Sequence, residues 1–317
     1  MNIVAISGMD LSQLRDNLPD EVRSRIKFIW CKNTKAANEF LTDAEILLTA
    51  GRLDPEIMER TPKLRWVQSL AAGIDKLPLE AFIKRNIIVT NGKGVHTVQM
   101  SEFTIGVMLQ RVRNTNKFLK HQHEKIWDPK LSFDELYGKT VGILGAGAIG
   151  EAVARKCQAF DMRVIGFNRS GAAQPHFNEI LTGDNGLITL LQKSDFIVLL
   201  LPSTPKTHHL IKREQFQQMK SSAFLINIAR GDVIDEEALI EALKNGTISG
   251  AALDVFEQEP LPETSPFWTM DNVILTPHIA GATDHYIERA APIFYHNLKQ
   301  YIAGQPLMNV VNLREGY

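Results

Sequence analysis

The sequence predicts an α/β chain built on two doubly wound parallel sheets. Three observations predict it. Short apolar runs of strand length alternate with amphipathic helical stretches almost from end to end, the pattern that strand–helix–strand crossovers impose. The runs fall into two series with a long helical stretch between them. A glycine-rich turn, GAGAIG, follows the strand that opens the second series.

The first series reads as strands at residues 2–7, 27–30, 45–50, 64–69 and 87–90, separated by helical segments, one of which opens near Pro55. One helix is then expected from about Val98 to Lys120, with Val98, Phe103, Val107 and Leu109 among its apolar positions. The second series reads as six strands, at 140–145, 163–168, 195–200, 223–228, 250–255 and 272–277. Six parallel strands with intervening helices make a complete doubly wound sheet. Residues 283–317 form one helix and a tail, too little for a core of their own, so they are expected to return to the first domain. The expected domains are 1–97 with 283–317, and 98–282.

At 317 residues the chain has room for two such cores. Its formal net charge of -1 argues against nucleic acid or an acidic membrane surface as partner. Two cysteines, Cys31 and Cys157, make neither a disulfide framework nor a zinc site. His121 and His123 are two apart on a helix and do not share a face. His208 and His209 are adjacent and are not expected to point the same way. No metal is therefore expected. The N-terminal MNIVAISGMD lacks the basic and apolar regions of a signal peptide. The apolar run FIVLLLP is far short of the ~20 residues of a membrane span. A cytoplasmic location is expected.

The turn GAGAIG sits between a buried strand and a helix, where a G-x-G-x-x-G signal has physical meaning. Gly145 allows the tight turn, Gly147 lets backbone approach a pyrophosphate, and Gly150 lets helix and strand pack closely. Ala148, Ile149 and Gly150 then open a helix whose free N–H groups favour phosphate. A dinucleotide is the expected cofactor. The next strand ends at Asn168, where a NAD-preferring site carries an acid for the ribose 2′-hydroxyl. Asn168 removes the repulsion a 2′-phosphate would meet, Arg169 can pair with it, and Ser170 adds a donor. NADP is preferred to NAD on this reading.

Hydride transfer to a 2-keto acid needs a cation for the carboxylate and a proton donor for the carbonyl oxygen. Histidine suits the donor role, because an adjacent carboxylate supports its protonated form. Candidates fall at strand ends of the second domain: Arg230 in NIARGDVID, Glu259 in DVFEQEPLP and His278 in LTPHIAGAT.

These stretches, with LPSTPKTHHLI (201–211) and AAGIDKLP (71–78), resemble the D-isomer-specific 2-hydroxyacid dehydrogenase family over nearly the whole chain. The resemblance implies a Rossmann dinucleotide domain inserted into a flavodoxin-like substrate domain. It implies that Arg230, Glu259 and His278 form the catalytic trio and that Asp254 meets the nicotinamide carboxamide. Further cofactor contacts are implied at Pro202, Thr207, Ile228, Ala229, Ala280 and Gly281. The amides of Ala71, Ala72 and Gly73, with Arg230, are implied to hold the substrate carboxylate. Lys76, beside that loop, either meets a second anionic group or stands in solvent.

The expected activity is a glyoxylate- or hydroxypyruvate-type 2-keto acid reductase, and the expected assembly a homodimer. Phosphoglycerate and D-lactate-type dehydrogenases look alike in these motifs. A formate enzyme is disfavoured by Thr276 before Pro277, where a glutamine would be expected. A non-catalytic nucleotide-sensing protein on the same scaffold is the reading from another class.

Overall fold

The first apolar series becomes five parallel strands: β1 (Asn2–Ile6), β2 (Lys27–Cys31), β3 (Ile46–Thr49), β4 (Trp66–Ser69) and β5 (Ile88–Thr90). The computed structural model describes residues 1–314 apart from Pro19 and Asp75. The strands lie in the order β2-β1-β3-β4-β5, the flavodoxin-like winding, with every pairing parallel. β3 and β4 are buried along their full length, as strands covered on both faces must be. The helix read near Pro55 is a single turn, Ile57–Arg60.

The second series becomes seven strands rather than six: β6 (Thr140–Leu144), β7 (Arg163–Phe167), β8 (Glu179–Leu181), β9 (Phe196–Leu199), β10 (Phe224–Asn227), β11 (Gly250–Leu253) and β12 (Val273–Leu275). Their order is β12-β11-β10-β9-β6-β7-β8, all parallel. β8 is a three-residue edge strand with no fully buried side chain, so it leaves no apolar run in the sequence. The winding reverses between β6 and β9, the switch point where doubly wound sheets open a crevice for ligands. Apolar clusters fill both faces, one around Leu190, Ile197 and Leu225, the other around Val141, Val153 and Val198.

The helix expected over 98–120 is two helices, Thr97–Val112 and Thr115–Glu124. They break at Asn114, whose φ of 52° is left-handed and whose amide donates to the Ser132 carbonyl at 2.5 Å. Asparagine tolerates that conformation better than most residues. The first helix packs on the sheet through Ile105, Val107 and Met108; the second buries no side chain.

The chain divides into two compact units, Met1–Val95 with Thr283–Tyr317, and His96–Ala282. The first division lies two residues ahead of the one read from the sequence. The returning segment forms the helix Tyr286–Ile302 and supplies what the first sheet lacks. Phe294, fully buried, lies against Trp66 with ring centroids 6.3 Å apart. Beneath it runs a buried polar chain. Trp66 Nε1 donates to Thr90 Oγ1 at 2.8 Å, and Thr90 donates to Gln68 Oε1 at 2.8 Å. Asn297 Nδ2 donates to the same Gln68 oxygen at 3.0 Å and to the Met308 carbonyl at 3.1 Å, while its Oδ1 accepts from Met308 N at 2.8 Å.

Asn297→Ala would take one donor from the buried Gln68 oxygen and both bonds from the Met308 backbone. Each buried group left unpaired costs ~1–3 kcal/mol, so thermal unfolding of the variant is expected several degrees lower. Asn297→Asp, which loses both donors and sets a buried carboxylate against the Gln68 and Met308 oxygens, is expected to be destabilised at least as much.

Candidate active site

The glycine turn has the tight, open backbone shape that a bound diphosphate requires. Gly145 has a φ of 111°, and a Cβ on Gly150 would lie 2.3 Å from the Gly145 carbonyl oxygen, so turn and helix meet backbone to backbone. A Cβ on Gly147 would meet nothing within 4 Å; the space beyond it is open. Gly147 caps the helix Ala148–Gln158 with no side-chain hydrogen bond, and the first intrahelical bond is from Glu151 N to Gly147 O. The amides of Ala148, Ile149 and Gly150 are therefore available at the positive end of the helix. These features fit a dinucleotide.

At the end of β7, Asn168 shapes its own loop. Its Oδ1 accepts from Gly171 N at 2.7 Å and its Nδ2 donates to Ala172 O at 3.0 Å. Arg169 and Ser170 stand exposed on this loop, and no acid takes the strand-end position. After β9, Thr207 donates to the Pro202 carbonyl at 2.6 Å and accepts from Thr204 N at 2.8 Å, so its hydroxyl holds the 202–207 loop in shape. Ile228 and Ala229 are buried at the end of β10, and Ala280 is buried beside Ile228 in one apolar cluster.

The structure brings Arg230, Glu259 and His278 to the carboxyl ends of neighbouring strands β10, β11 and β12. Arg230 follows β10, with Asn227 bracing its loop: Asn227 Nδ2 donates to Arg230 O at 2.9 Å and Oδ1 accepts from Ala229 N at 3.1 Å. The guanidinium donates through Nη1 to Ala229 O at 2.7 Å. A Cβ on the next residue, Gly231, would lie 1.9 Å from the Phe256 carbonyl carbon. Only glycine lets the Arg230 loop press against the loop that carries Glu259.

Glu259 Oε2 is 2.8 Å from His278 Nδ1, and its Oε1 accepts from Phe256 N at 3.3 Å. With Nδ1 committed to the carboxylate, Nε2 is the atom for proton exchange. The His278 side chain is 47% exposed, which leaves that atom reachable. The residue has a φ of 57°, a left-handed conformation that needs outside support. Asp254 provides it. Its carbonyl accepts from His278 N at 2.8 Å, and its carboxylate accepts from Thr276 Oγ1 at 2.6 Å, Ile279 N at 2.8 Å and Ala280 N at 2.9 Å. A carboxylate offers about four lone-pair positions, so one remains for a ligand amide.

Two residues absent from the sequence reading join this group. His96 Nδ1 lies 3.3 Å from Gly281 O, and Gln99 Nε2 donates to the same oxygen at 3.2 Å. A Cβ on Gly281 would lie 3.1 Å from His96 Nδ1, so the turn after His278 is held close on this side too. Burial pushes His96 below the ordinary histidine range; the Gly281 carbonyl opposes that, and the Arg230 charge adds to it. A second imidazole, its charged form disfavoured, thus stands in the field of Arg230. No periodicity or spacing in the sequence marked it. His208 and His209, not expected to point the same way, stack with centroids 4.0 Å apart, because His209 takes a φ of 48°. Their neighbour Glu257 accepts from His209 Nε2 at 2.8 Å. Among the described residues no group of three His, Cys, Asp or Glu side chains is placed to hold a metal.

In the first unit, Ala71, Ala72 and Gly73 follow β4. Their carbonyls face inward: Ala71 O accepts from Ser69 Oγ at 2.8 Å and Gly92 N at 3.0 Å, and Ala72 O from Asn91 Nδ2 at 2.8 Å. The amides of all three donate to no protein acceptor among the described residues. Consecutive unspent amides of this kind make an anion-binding concavity.

The model of the D-isomer specific 2-hydroxyacid dehydrogenase NAD binding domain matches residues 105–280. A glyoxylate reductase of Thermofilum pendens is 40% identical over 277 residues, covering 85% of this chain and 81% of that one. A D-3-phosphoglycerate dehydrogenase of Methanocaldococcus jannaschii is 38% identical over 87% of this chain, but over only 53% of its own length. Among solved structures, an NADPH-dependent glyoxylate/hydroxypyruvate reductase of Sinorhizobium meliloti, in complex with NADP and sulfate, superposes with a TM-score of 0.86 at 28% identity over 100% of both chains. The matching domain model spans more than half of the chain, and the trio stands at adjoining strand ends. The chain belongs to the D-isomer specific 2-hydroxyacid dehydrogenase family, oxidoreductases that act at the CH–OH carbon of a 2-hydroxy acid.

Proposed function

We propose that this chain is an NADPH-preferring reductase of small 2-keto acids, with glyoxylate and hydroxypyruvate as its first substrates. The observation that carries this reading is the 2.8 Å pair of His278 Nδ1 and Glu259 Oε2, beside the loop of Arg230. The names of the Thermofilum and Sinorhizobium relatives support the choice of substrate.

When bound, the nicotinamide supplies the hydride. Arg230 pairs with the substrate carboxylate and polarises the C2 carbonyl, and the amides of Ala71–Gly73 are the proposed further donors to that carboxylate. His278 gives the Nε2 proton to the carbonyl oxygen as C2 is reduced, while Glu259, 2.8 Å from Nδ1, fixes the ring. Asp254 holds the turn, and its remaining lone pair is the proposed acceptor for the carboxamide. Ala148–Gly150 receive the diphosphate; Pro202, Thr207, Ile228, Ala229, Ala280 and Gly281 are proposed as the walls of the cofactor site.

The exposed Leu119, Ile126, Trp127 and Tyr137 support a homodimer. Trp127 alone is 94% exposed, and burying such an aromatic is a common anchor of an interface. A cytoplasmic setting fits the two buried free thiols, Cys31 and Cys157.

His278→Asn is expected to lower kcat for glyoxylate reduction by about 10²–10⁴-fold, the contribution of a positioned general acid. Glu259→Gln should lower kcat less and leave the dissociation constant for NADPH within about twofold, since it keeps an acceptor for Nδ1. An unchanged kcat in His278→Asn would refute the assignment. For the cofactor, NADPH is expected to exceed NADH at least tenfold in kcat/KM. Arg169→Ala should remove about tenfold from NADPH alone, the scale of one charge-assisted contact; equal or better rates with NADH would overturn this preference. Light scattering should give about twice the 35.6 kDa chain mass, falling to one copy in Trp127→Glu.

A further inference from the structure

We infer that Asn91, and behind it Asn309 of the returning tail, are positioning residues for substrate binding: together they aim the Gly73 amide at the substrate carboxylate. The inference rests on the reading above, in which the Ala71–Gly73 amides meet the carboxylate of a 2-keto acid.

A trans peptide sets its C=O and the following N–H in opposite directions. Whatever holds the carbonyl of one residue therefore aims the amide of the next. In the loop after β4, Ala71 O is held twice, by Ser69 Oγ at 2.8 Å and by Gly92 N at 3.0 Å, and these bonds turn the Ala72 amide away from them. Ala72 O is held once among the described residues, by Asn91 Nδ2 at 2.8 Å. The direction of the Gly73 amide thus depends on one side chain. Asn91 is buried, and its Oδ1 accepts from Lys93 N at 3.2 Å, which fixes the end of the amide that faces Ala72.

The turn that carries Asn91 is pressed onto that loop. A Cβ on Gly92 would lie 1.9 Å from the Leu70 carbonyl oxygen, so the two segments meet backbone to backbone. On the other side the turn is held by the tail. β5 is the edge strand of its sheet, and residues 309–311 run antiparallel along it. Thr90 and Val310 are bridge partners, Val311 N donates to Val89 O at 2.9 Å, and Asn91 N donates to Asn309 O at 3.1 Å. Asn309 Nδ2 in turn donates to Asn91 O at 3.3 Å and to Lys93 O at 3.1 Å, which ties the two ends of the turn to one amide. Its φ of 56° is left-handed, a conformation that asparagine tolerates. Met308, the residue before it, is bonded through both backbone groups to Asn297. The tail is thus anchored on the helix Tyr286–Ile302 and delivers one asparagine to the turn behind the substrate loop.

The test uses the full chain loaded with NADPH, with oxalate as an unreactive small carboxylate whose binding is followed by calorimetry. Asn91→Ala is expected to weaken oxalate binding and to raise KM for glyoxylate about tenfold, the scale of one hydrogen bond to a charged group. Asn309→Gly keeps a residue at home in the left-handed conformation and removes both donors; it should act in the same direction by about threefold, since its effect passes through the turn. Asn309 is half-buried, so this variant probes the brace even where Asn91→Ala lowers the yield of folded chain. In both variants kcat and the dissociation constant for NADPH should stay within about twofold of wild type. Asn91→Asp keeps the acceptor for Lys93 N and loses the donor to Ala72 O until its carboxyl is protonated. Its deficit relative to wild type should therefore be largest near about pH 8 and shrink toward about pH 5, a dependence that mere loosening of the loop would not produce. Equal losses in NADPH binding, unchanged oxalate binding in Asn91→Ala, or a deficit in Asn91→Asp that ignores pH would overturn the inference. The two readings fail separately. If no 2-keto acid is turned over, the reductase reading fails, while selective loss of oxalate binding in these variants still upholds the role of Asn91; a wild-type chain that binds no oxalate overturns it.

Discussion

Asp254 is 1% exposed, and three donors from the turn that carries His278 converge on its carboxylate. The fourth contact of that residue, its carbonyl on His278 N, fixes His278 itself. A left-handed histidine is an unfavourable conformation, and these four bonds are what hold it there. The rest of the group follows from this anchoring. With the backbone of His278 fixed, Glu259 needs to set only the ring, and the close contact at Gly231 sets where the Arg230 loop lies relative to Glu259. His96 and Gln99 complete the enclosure from the other side of the turn through Gly281 O. The side chains of this group thus take their positions from backbone hydrogen bonds on rigid strand ends, which limits wandering of the His278 imidazole.

The strands of both sheets were legible because a strand buried on both faces must be apolar along its length; Phe196–Leu199 and Phe224–Asn227 leave little room for another reading. β8 was not legible, since an edge strand of three half-buried residues carries no such demand. The break at Asn114 was missed because apolar spacing continues across it through Phe118 and Leu119. What ends the first helix is a left-handed residue bonded to Ser132, a contact between positions distant in sequence.

For the site, motif and chemistry pointed to Arg230, Glu259 and His278, and the structure gathers them at neighbouring strand ends. The structural duty of Asp254 was hidden. A sequence shows an acid near a strand end, whereas three donors converging on it exist only in the folded turn. His96 was hidden for a related reason, since one histidine before a helix looks like any surface residue until Gly281 is brought against it.

The returning helix Tyr286–Ile302 has a consequence for how the chain is made. The sheet that emerges first from the ribosome is the last to be finished, because the side chains that cover Trp66 and bond Gln68 belong to Phe294 and Asn297. At a synthesis rate of about 5–20 residues per second, the interval between Val95 and Phe294 is on the order of 10–40 s. Through that time the second unit is still being made, while the first holds an uncovered aromatic face. Nascent chains are therefore most open to wrong association in the segment already made, and a holding chaperone would find its target around Trp66 rather than in the cofactor-binding half.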